Sequence, residues 1–355
     1  MNYLVIVPNN SHSGMTNLAI DTVSLLLDYG CIAHGKVVFL RKTSEKDIIR
    51  NGIKLEKIKL QDLSKPETII HTHGLIPDLI AGLLKFFFKS KYRAVTTIHQ
   101  YLPYQLSLEK SIFFSFIFWP IWRNAILKTD AIVFISSSME RFYKYRLQSE
   151  KMKTIYNFSL QKISEKNQSS YGNYKNINKF IEESRKGNND IVIYVGSINH
   201  RKNIVQFVDF IKDKRFSIII AGDGPKSHEI KTLAREYPER ILFLGQCSNL
   251  EFLYKKCDYL VLPSFSEGMP LVVLEAISHG LPVLLSNIAV HRELCSYGIG
   301  RCFNHKNFSN FEIISRNIRK DYSREDVINV YKKNFSGVQS ARKYCNLLKG
   351  ICNEG

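Results

Sequence analysis

Short runs of Val, Ile and Leu, apolar at successive positions, recur along the whole chain. In the first half they fall at residues 3–7, 37–40, 68–71, 94–98 and 131–135. A second series falls at 191–195, 217–221, 241–244, 259–262 and 283–285. Such runs, without polar alternation, are what parallel strands buried on both faces present. The segments between them have helical length and period, for example 15–27, 203–212 and 270–279. Regular alternation of strand and helix predicts doubly wound parallel sheets of the α/β class. Between the two series, residues 157–189 are rich in Asn, Ser, Lys and Gly and read as a linker with one short helix, 177–185. The chain therefore divides into domains at 1–165 and 190–337, followed by a helical stretch, 338–355. Ligands of open α/β sheets bind at the carboxyl ends of the strands. Two such sheets facing each other would put a site in the cleft between them.

Length and charge narrow the picture. A chain of 355 residues suits two domains, and 45% hydrophobic with 23% charged residues excludes a disordered or fibrous protein. Lys and Arg number 50 against 32 Asp and Glu, a net charge of +18 that calls for an anionic partner. Residues 36–128 hold 16 basic and 7 acidic residues, so half of the excess lies in the first domain. No helix-turn-helix, RRM or zinc-finger pattern occurs and the cations are dispersed, which argues against nucleic acid. An anionic membrane surface or a phosphorylated substrate remains. The longest apolar stretch, residues 111–122, is broken by Pro120 and falls short of the roughly 20 residues a spanning helix needs. With Phe86, Phe87 and Phe88 beside Lys89, Lys91 and Arg93, it reads in one of two ways. Exposed, these aromatics suit an anionic bilayer surface; buried, they are the core faces of two helices. The N-terminus reads as a first buried strand and not as a signal peptide, so a cytoplasmic location is expected, peripheral on the inner face of the plasma membrane. The seven cysteines are odd in number and form no CxxC, so no zinc ribbon or disulfide framework is expected, and reduced thiols are.

The chemistry concentrates after the run at 259–262. A turn, Ser264-Phe265-Ser266-Glu267-Gly268-Met269, leads into a helix predicted to begin at Pro270, where proline suits the first turn. Its free N–H groups form an anion site at the carboxyl edge of a sheet. Glu267 precedes that helix. Glu275 lies inside it among Val272, Val273, Leu274, Ala276 and Ile277, where a carboxylate needs a partner. A cap and a salt bridge would satisfy the two acids; so would a ligand hydroxyl.

Glu267 and Glu275 within SEGMPLVVLEAISHGLPV resemble the E-x7-E motif of retaining nucleotide-sugar glycosyltransferases, notably glycosyltransferase family 4. Three neighbouring segments resemble that family in order and spacing: Gly196 to Asn203, with its basic pair Arg201-Lys202; Ala221-Gly222-Asp223-Gly224-Pro225; and Phe243-Leu244-Gly245-Gln246 with Asp258 to Ser264. The resemblance implies the GT-B fold: two facing Rossmann-like doubly wound domains, an acceptor-side 1–165 and a nucleotide-sugar-binding 190–337, with helix 338–355 packing back on the first. It implies that Glu275 binds the ribose hydroxyls and that Glu267 lies near the donor sugar. The backbone of Gly268, Met269, Pro270 and Leu271 would hold the sugar and diphosphate, with Lys202, Arg201, Gly196, Gly222, Gly245 and Gln246 around them.

A cation at Lys202 has its own rationale, since transfer builds negative charge on the departing diphosphate. The chain has no D-x-D motif, and no metal cofactor is expected. Ser197 stands where the family commonly has Arg, with Arg201 able to replace its charge. In the first domain Thr97-Ile98-His99-Gln100 resembles the family's T-x-H-D segment, whose His reaches the donor sugar. His71 and His73 read as buried strand-end histidines, and Gly14 is the single glycine of a first loop that is glycine-rich in the family. The catalytic candidates are thus His99, Glu267 and Lys202. The expected activity is transfer of a sugar from a nucleoside-diphosphate sugar to a saccharide or lipid-linked acceptor in bacterial surface polysaccharide assembly. A nucleotide-sugar epimerase or hydrolase, and a non-catalytic binding module, are the alternatives.

Overall fold

The computed structural model describes residues 1–11, 13–43, 48–63, 68–88, 92–102, 112–160, 174–247 and 250–353. Most of the linker and part of the basic and aromatic segments, including Lys89, Lys91 and Lys110, lie outside the described residues. The chain forms two compact units, Met1–Leu160 with Phe335–Gly355, and Gln161–Asn334.

The first unit contains β1 (Asn2–Asn9), β2 (His34–Arg41), β3 (Ile49–Arg50), β4 (Ile53–Lys57), β5 (Thr68–His73), β6 (Arg93–Ile98), β7 (Ala131–Phe134) and β8 (Met152–Thr154). Their order across the sheet is β3-β4-β2-β1-β5-β6-β7-β8. Every pairing is parallel except β3–β4, a hairpin turned by Asn51 and Gly52, both at positive φ. Asn-Gly supplies the left-handed pair that a two-residue hairpin requires. Its helices include α1 (Gly14–Asp28), α2 (Leu75–Phe87), α3 (Ile112–Leu127) and α4 (Ser137–Leu147).

Strand β1 shows why the apolar runs are continuous. Tyr3, Val5 and Val7 pack into a core with α1 residues on one face, while Leu4 and Ile6 join Val38, Ile70 and Tyr92 on the other. Both faces are covered, so its interior positions are apolar without alternation. The C-terminal helix, Gly337–Asn353, adds Tyr344, Leu348 and Ile351 to the α1-side core. That packing brings Cys345 to Cys31, just beyond α1, with Cα atoms 5.4 Å apart in a disulfide. The expectation that all cysteines stay reduced is corrected here. The partners are 314 residues apart in sequence, so spacing alone could not pair them.

The second unit contains α5 (Tyr174–Lys186), β9 (Asp190–Val195), α6 (Ile204–Ile211), β10 (Phe216–Ala221), α7 (Ser227–Glu236), β11 (Ile241–Gly245), α8 (Glu251–Lys256), β12 (Tyr259–Leu262), α9 (Leu271–Ser278), β13 (Val283–Ser286), α10 (Ala289–Cys295) and β14 (Gly300–Phe303). Its sheet runs β11-β10-β9-β12-β13-β14, parallel throughout. Counted from β9, this is the order 3-2-1-4-5-6 of a Rossmann sheet, and the order reverses between β9 and β12. Chain connections leave that point toward opposite faces of the sheet. The crevice they open lies just beyond Val195 and Leu262.

Candidate functional site

In the second unit the carboxyl ends of β9, β10 and β11 are joined by backbone alone. Gly196 N–H donates to Ala221 O at 3.0 Å, Gly222 N–H to Gly245 O at 2.7 Å and Ile198 N–H to Asp223 O at 3.0 Å. Gly196 and Gly222 have φ of +147° and +148°, a region that side chains rarely occupy. A Cβ on Gly222 would lie 1.9 Å from Gly196 O. These glycines let two loops approach within van der Waals contact, and so form the floor of the crevice.

The first loop then builds a cationic arm. Asn199 caps a short 3₁₀ turn, His200–Lys202, its Oδ1 accepting from Lys202 N–H at 3.0 Å. Asn203 turns the chain at φ +55° into α6. From the other side of the reversal point, the loop after β12 delivers Glu267. Lys202 Nζ lies 2.6 Å from Glu267 Oε1, and Arg201 Nη1 lies 3.1 Å from Glu267 Oε2. Arg201 Nη1 also donates to Ser266 O. Glu267 is buried. Burial alone would raise its carboxyl, but the Lys202 ammonium and the Arg201 guanidinium outweigh it and hold the group at about 2. Two cations thus share one carboxylate, leaving one positive charge in excess.

Beside this cluster, α9 starts at Leu271 with Pro270 as its cap residue in extended conformation, one position later than predicted. Proline at the cap has φ −73° and ψ 116°, which belongs to the residue before the helix. No side chain caps this end, so its N–H groups and positive dipole face the loop. Glu275 is half-buried on the same helix and accepts from Tyr254 Oη at 3.3 Å. His291, on α10, is buried; its Nδ1 meets Ser286 Oγ at 2.8 Å. Desolvation pushes it down to about 4 against the pull of Glu267, so a neutral imidazole stands near the charge cluster.

The first unit gathers three histidines at the ends of β5 and β6. His71 Nδ1 meets Tyr3 Oη, and His71 Nε2 meets Thr97 Oγ1 at 2.6 Å. His73 Nδ1 lies 2.7 Å from His99 Nε2. Burial lowers all three, His71 to about 3 and His99 to about 4, so all are neutral near pH 7. Between two neutral rings one nitrogen donates and the other accepts. Among the described residues no group of three His, Cys, Asp or Glu side chains is placed to hold a metal ion.

The structure therefore brings together Lys202, Arg201 and Glu267, and separately joins Gly196, Gly222 and Gly245. Gln246 is exposed just past β11, and Gly14 is the exposed first residue of α1. His99 belongs to the other unit. Sequence reasoning missed His291, Tyr254 and Asn199. Only Asn199 left a signal, a cap-type residue three positions before Lys202; nothing in the sequence separates His291 or Tyr254 from ordinary core residues.

Residues 176–332 match the family model described as Glycosyl transferases group 1, and residues 21–158 match Glycosyltransferase Family 4. The O-antigen biosynthesis glycosyltransferase WclY of Escherichia coli is 27% identical over 338 residues, covering 90% of this chain and 91% of its own. The Escherichia coli UDP-Gal:alpha-D-GlcNAc-diphosphoundecaprenol alpha-1,3-galactosyltransferase is 35% identical over 115 residues, 29% of each chain. Among solved structures, Anabaena HepE in complex with UDP superposes with a TM-score of 0.77 at 16% identity, covering 99% of this chain and 100% of its own.

Proposed function

We propose that this chain, a glycosyltransferase of the GT-B fold, is a retaining enzyme of bacterial surface polysaccharide biosynthesis that moves a sugar from a nucleoside-diphosphate donor to a saccharide or lipid-linked acceptor. The observation that carries the reading is the pairing of Lys202 and Arg201 on Glu267 beside an uncapped helix N-terminus, at the reversal point of a Rossmann sheet. That arrangement suits a diphosphate: one surplus positive charge, a helix N-terminus that no side chain caps and glycine loops that admit an anion closely. The names of the relatives, one an O-antigen enzyme and one acting on a diphosphoundecaprenol acceptor, support the acceptor class.

In this reading Lys202, Arg201 and the N–H groups of Gly268, Leu271 and Val272 hold the diphosphate, while the half-buried Glu275 binds the ribose hydroxyls. Gly196, Gly222, Gly245 and Gln246 border the nucleotide. The C1–O bond to the diphosphate breaks, a bond from the acceptor oxygen to C1 forms on the same face, and the acceptor proton passes to the departing phosphate oxygen. Charge grows on that oxygen as the bond breaks, and Lys202 meets it there. Glu267 orients Lys202 and lies near the sugar.

The test is a panel of nucleotide sugars scored by thermal shift, hydrolysis and transfer. One donor should stabilise the protein, and Lys202→Ala and Glu275→Ala should each lower turnover strongly in folded protein. Hydrolysis that no acceptor redirects would favour the hydrolase. A panel without stabilisation would favour a non-catalytic module.

A further inference from the structure

Helix α3 is apolar around most of its circumference, with Ser115, Arg123 and Asn124 as its polar residues. One face is used inside the first unit: Trp122 and Ile126 are buried, and the indole Nε1 of Trp122 donates to buried Asp78 Oδ2 at 2.9 Å. That bond fixes the rotation of the helix, because an indole N–H that left it would give up a buried carboxylate acceptor. The opposite face is therefore held outward, and it carries Phe113, Phe116, Ile117 and Ile121, with Phe116 83% and Phe113 73% exposed. Helix α2 packs directly against α3: a Cβ on Gly82 would lie 2.6 Å from Ala125 Cα. Its own outward residues, Leu83, Phe86 and Phe87, extend the same surface, with Phe87 68% exposed.

A helix pair that turns this many aromatics to water needs an occupant. The rim says which. Lys128 Nζ sits 4.0 Å from the centre of the Phe86 ring, Arg123 Nε donates to Arg146 O at 2.8 Å, and Lys151 Nζ donates to Thr129 O at 3.0 Å. Between residues 75 and 128 the sequence has seven Lys and Arg against two acids, Asp78 and Glu109; Lys85 is buried on Asp130, Lys89, Lys91 and Lys110 lie outside the described residues, and Arg93, Arg123 and Lys128 are part-exposed. Asp78 is buried, and Glu109 lies outside the described residues. A second copy meeting this face about a two-fold axis would set like charges opposite one another. An anionic lipid surface satisfies both parts, taking the rings among its acyl chains and the cations among its headgroups. No helix among the described residues is long and apolar enough to cross a membrane, and α3 has 16 residues with Pro120 inside it.

We propose that the outward faces of α2 and α3 form the surface by which this enzyme docks on an anionic bilayer, α3 lying in the interface plane with Phe113 and Phe116 inserted. The proposal deepens the lipid-linked acceptor reading and rests on it only for the need to be at a membrane. It is tested on the full chain by co-sedimentation with vesicles of phosphatidylcholine mixed with phosphatidylglycerol, against pure phosphatidylcholine. Binding should require the anionic lipid and weaken as salt is raised. Phe113→Ser/Phe116→Ser should reduce partitioning about a hundredfold, each withdrawn ring being worth about a decade. Lys128→Glu should weaken binding at low salt only. Wild-type protein that stays in the supernatant at low salt overturns the proposal. So does binding that the double variant retains, or a wild-type dimer in light scattering that Phe116→Ser dissolves. Donor thermal shift on the same variants should be unchanged. Loss of donor response with vesicle binding intact would sink the transfer reading and leave this surface standing.

Discussion

Glu267→Gln keeps the shape of the side chain and removes the charge that Lys202 and Arg201 share. The carboxyl is held at about 2 in the folded protein against an ordinary 4.5. A difference of about 2.5 pH units corresponds to about 3 kcal/mol of stability at pH 7. Because the folded value is the lower one, that stability is present above about pH 4.5 and is lost as pH falls toward 2. At pH 3 less than half of it is left. The glutamine variant should therefore be less stable than wild type by about 3 kcal/mol at pH 7 and by less than half of that at pH 3.

Urea unfolding followed by two signals isolates the effect. Trp119 and Trp122 are the two tryptophans of the chain, and both lie in the first unit. Tryptophan fluorescence thus reports that unit, while far-ultraviolet circular dichroism reports both. The deficit should appear only in the dichroism step that fluorescence does not share. An equal deficit at pH 3 and pH 7 would refute the ion-pair argument, leaving a plain hydrogen-bond loss. No deficit at pH 7 would mean that burial of the carboxylate cancels its two cations.

Three further outcomes follow from particular contacts. Gly222→Ala places a methyl 1.9 Å from Gly196 O at φ +148°, and should cost at least about 2 kcal/mol in the second-unit dichroism step. Cys31→Ser removes the closure to Cys345 and should lower first-unit stability by about 2–4 kcal/mol, read by fluorescence and matched by wild type in reductant. His71, His73 and His99 are held below their ordinary 6.5, so unfolding takes up their protons and acid destabilises the first unit; Asp78, raised to about 7 by burial, opposes them with one proton. Near pH 5 the net uptake of about two protons gives a loss of about 3 kcal/mol per pH unit, so a fluorescence midpoint that stays level between pH 6 and pH 5 would refute the neutral histidine cluster.

The parallel strands were legible because burial on both faces makes their runs mostly apolar without alternation; every apolar run from 3–7 to 283–285 became a strand. The elements that were missed are those whose stability comes from elsewhere. Strands β3 and β4 hold together through the Asn51-Gly52 turn, and β8 and β14 are edge strands with mixed residues. In the second unit, spacing put Lys202 and Glu267 on two loops, but only the strand order shows that β9 and β12 are neighbours and that the loops therefore meet. The pairing of the two candidates with each other, instead of each with a ligand, depends on side-chain positions that no one-dimensional pattern encodes. The aromatic segment carried both meanings at once: Trp122 and Ile126 are core, and Phe113 and Phe116 are surface, which a helix apolar around most of its circumference cannot reveal until its rotation is known.

The net charge of +18 divides along the same line between buried and exposed. Lys85 is spent on Asp130, Arg185 and Arg319 on Asp258, and Lys36 on Glu56 and Asp62, all as structural pairs. What counts for function is where cations outnumber their local acids. One such place is small and sheltered, two cations on Glu267 within a crevice where water and salt screen weakly. The other is the rim of α3, open to solvent, where the screening length of about 8 Å at physiological salt is comparable to the spacing of the charges from a lipid surface. Salt therefore acts on the two unequally: it should release the enzyme from an anionic bilayer well before it loosens the Lys202–Glu267 pair. Under the two proposals the same excess of Lys and Arg serves two tasks that ionic strength separates, and a composition count, blind to burial, merges them.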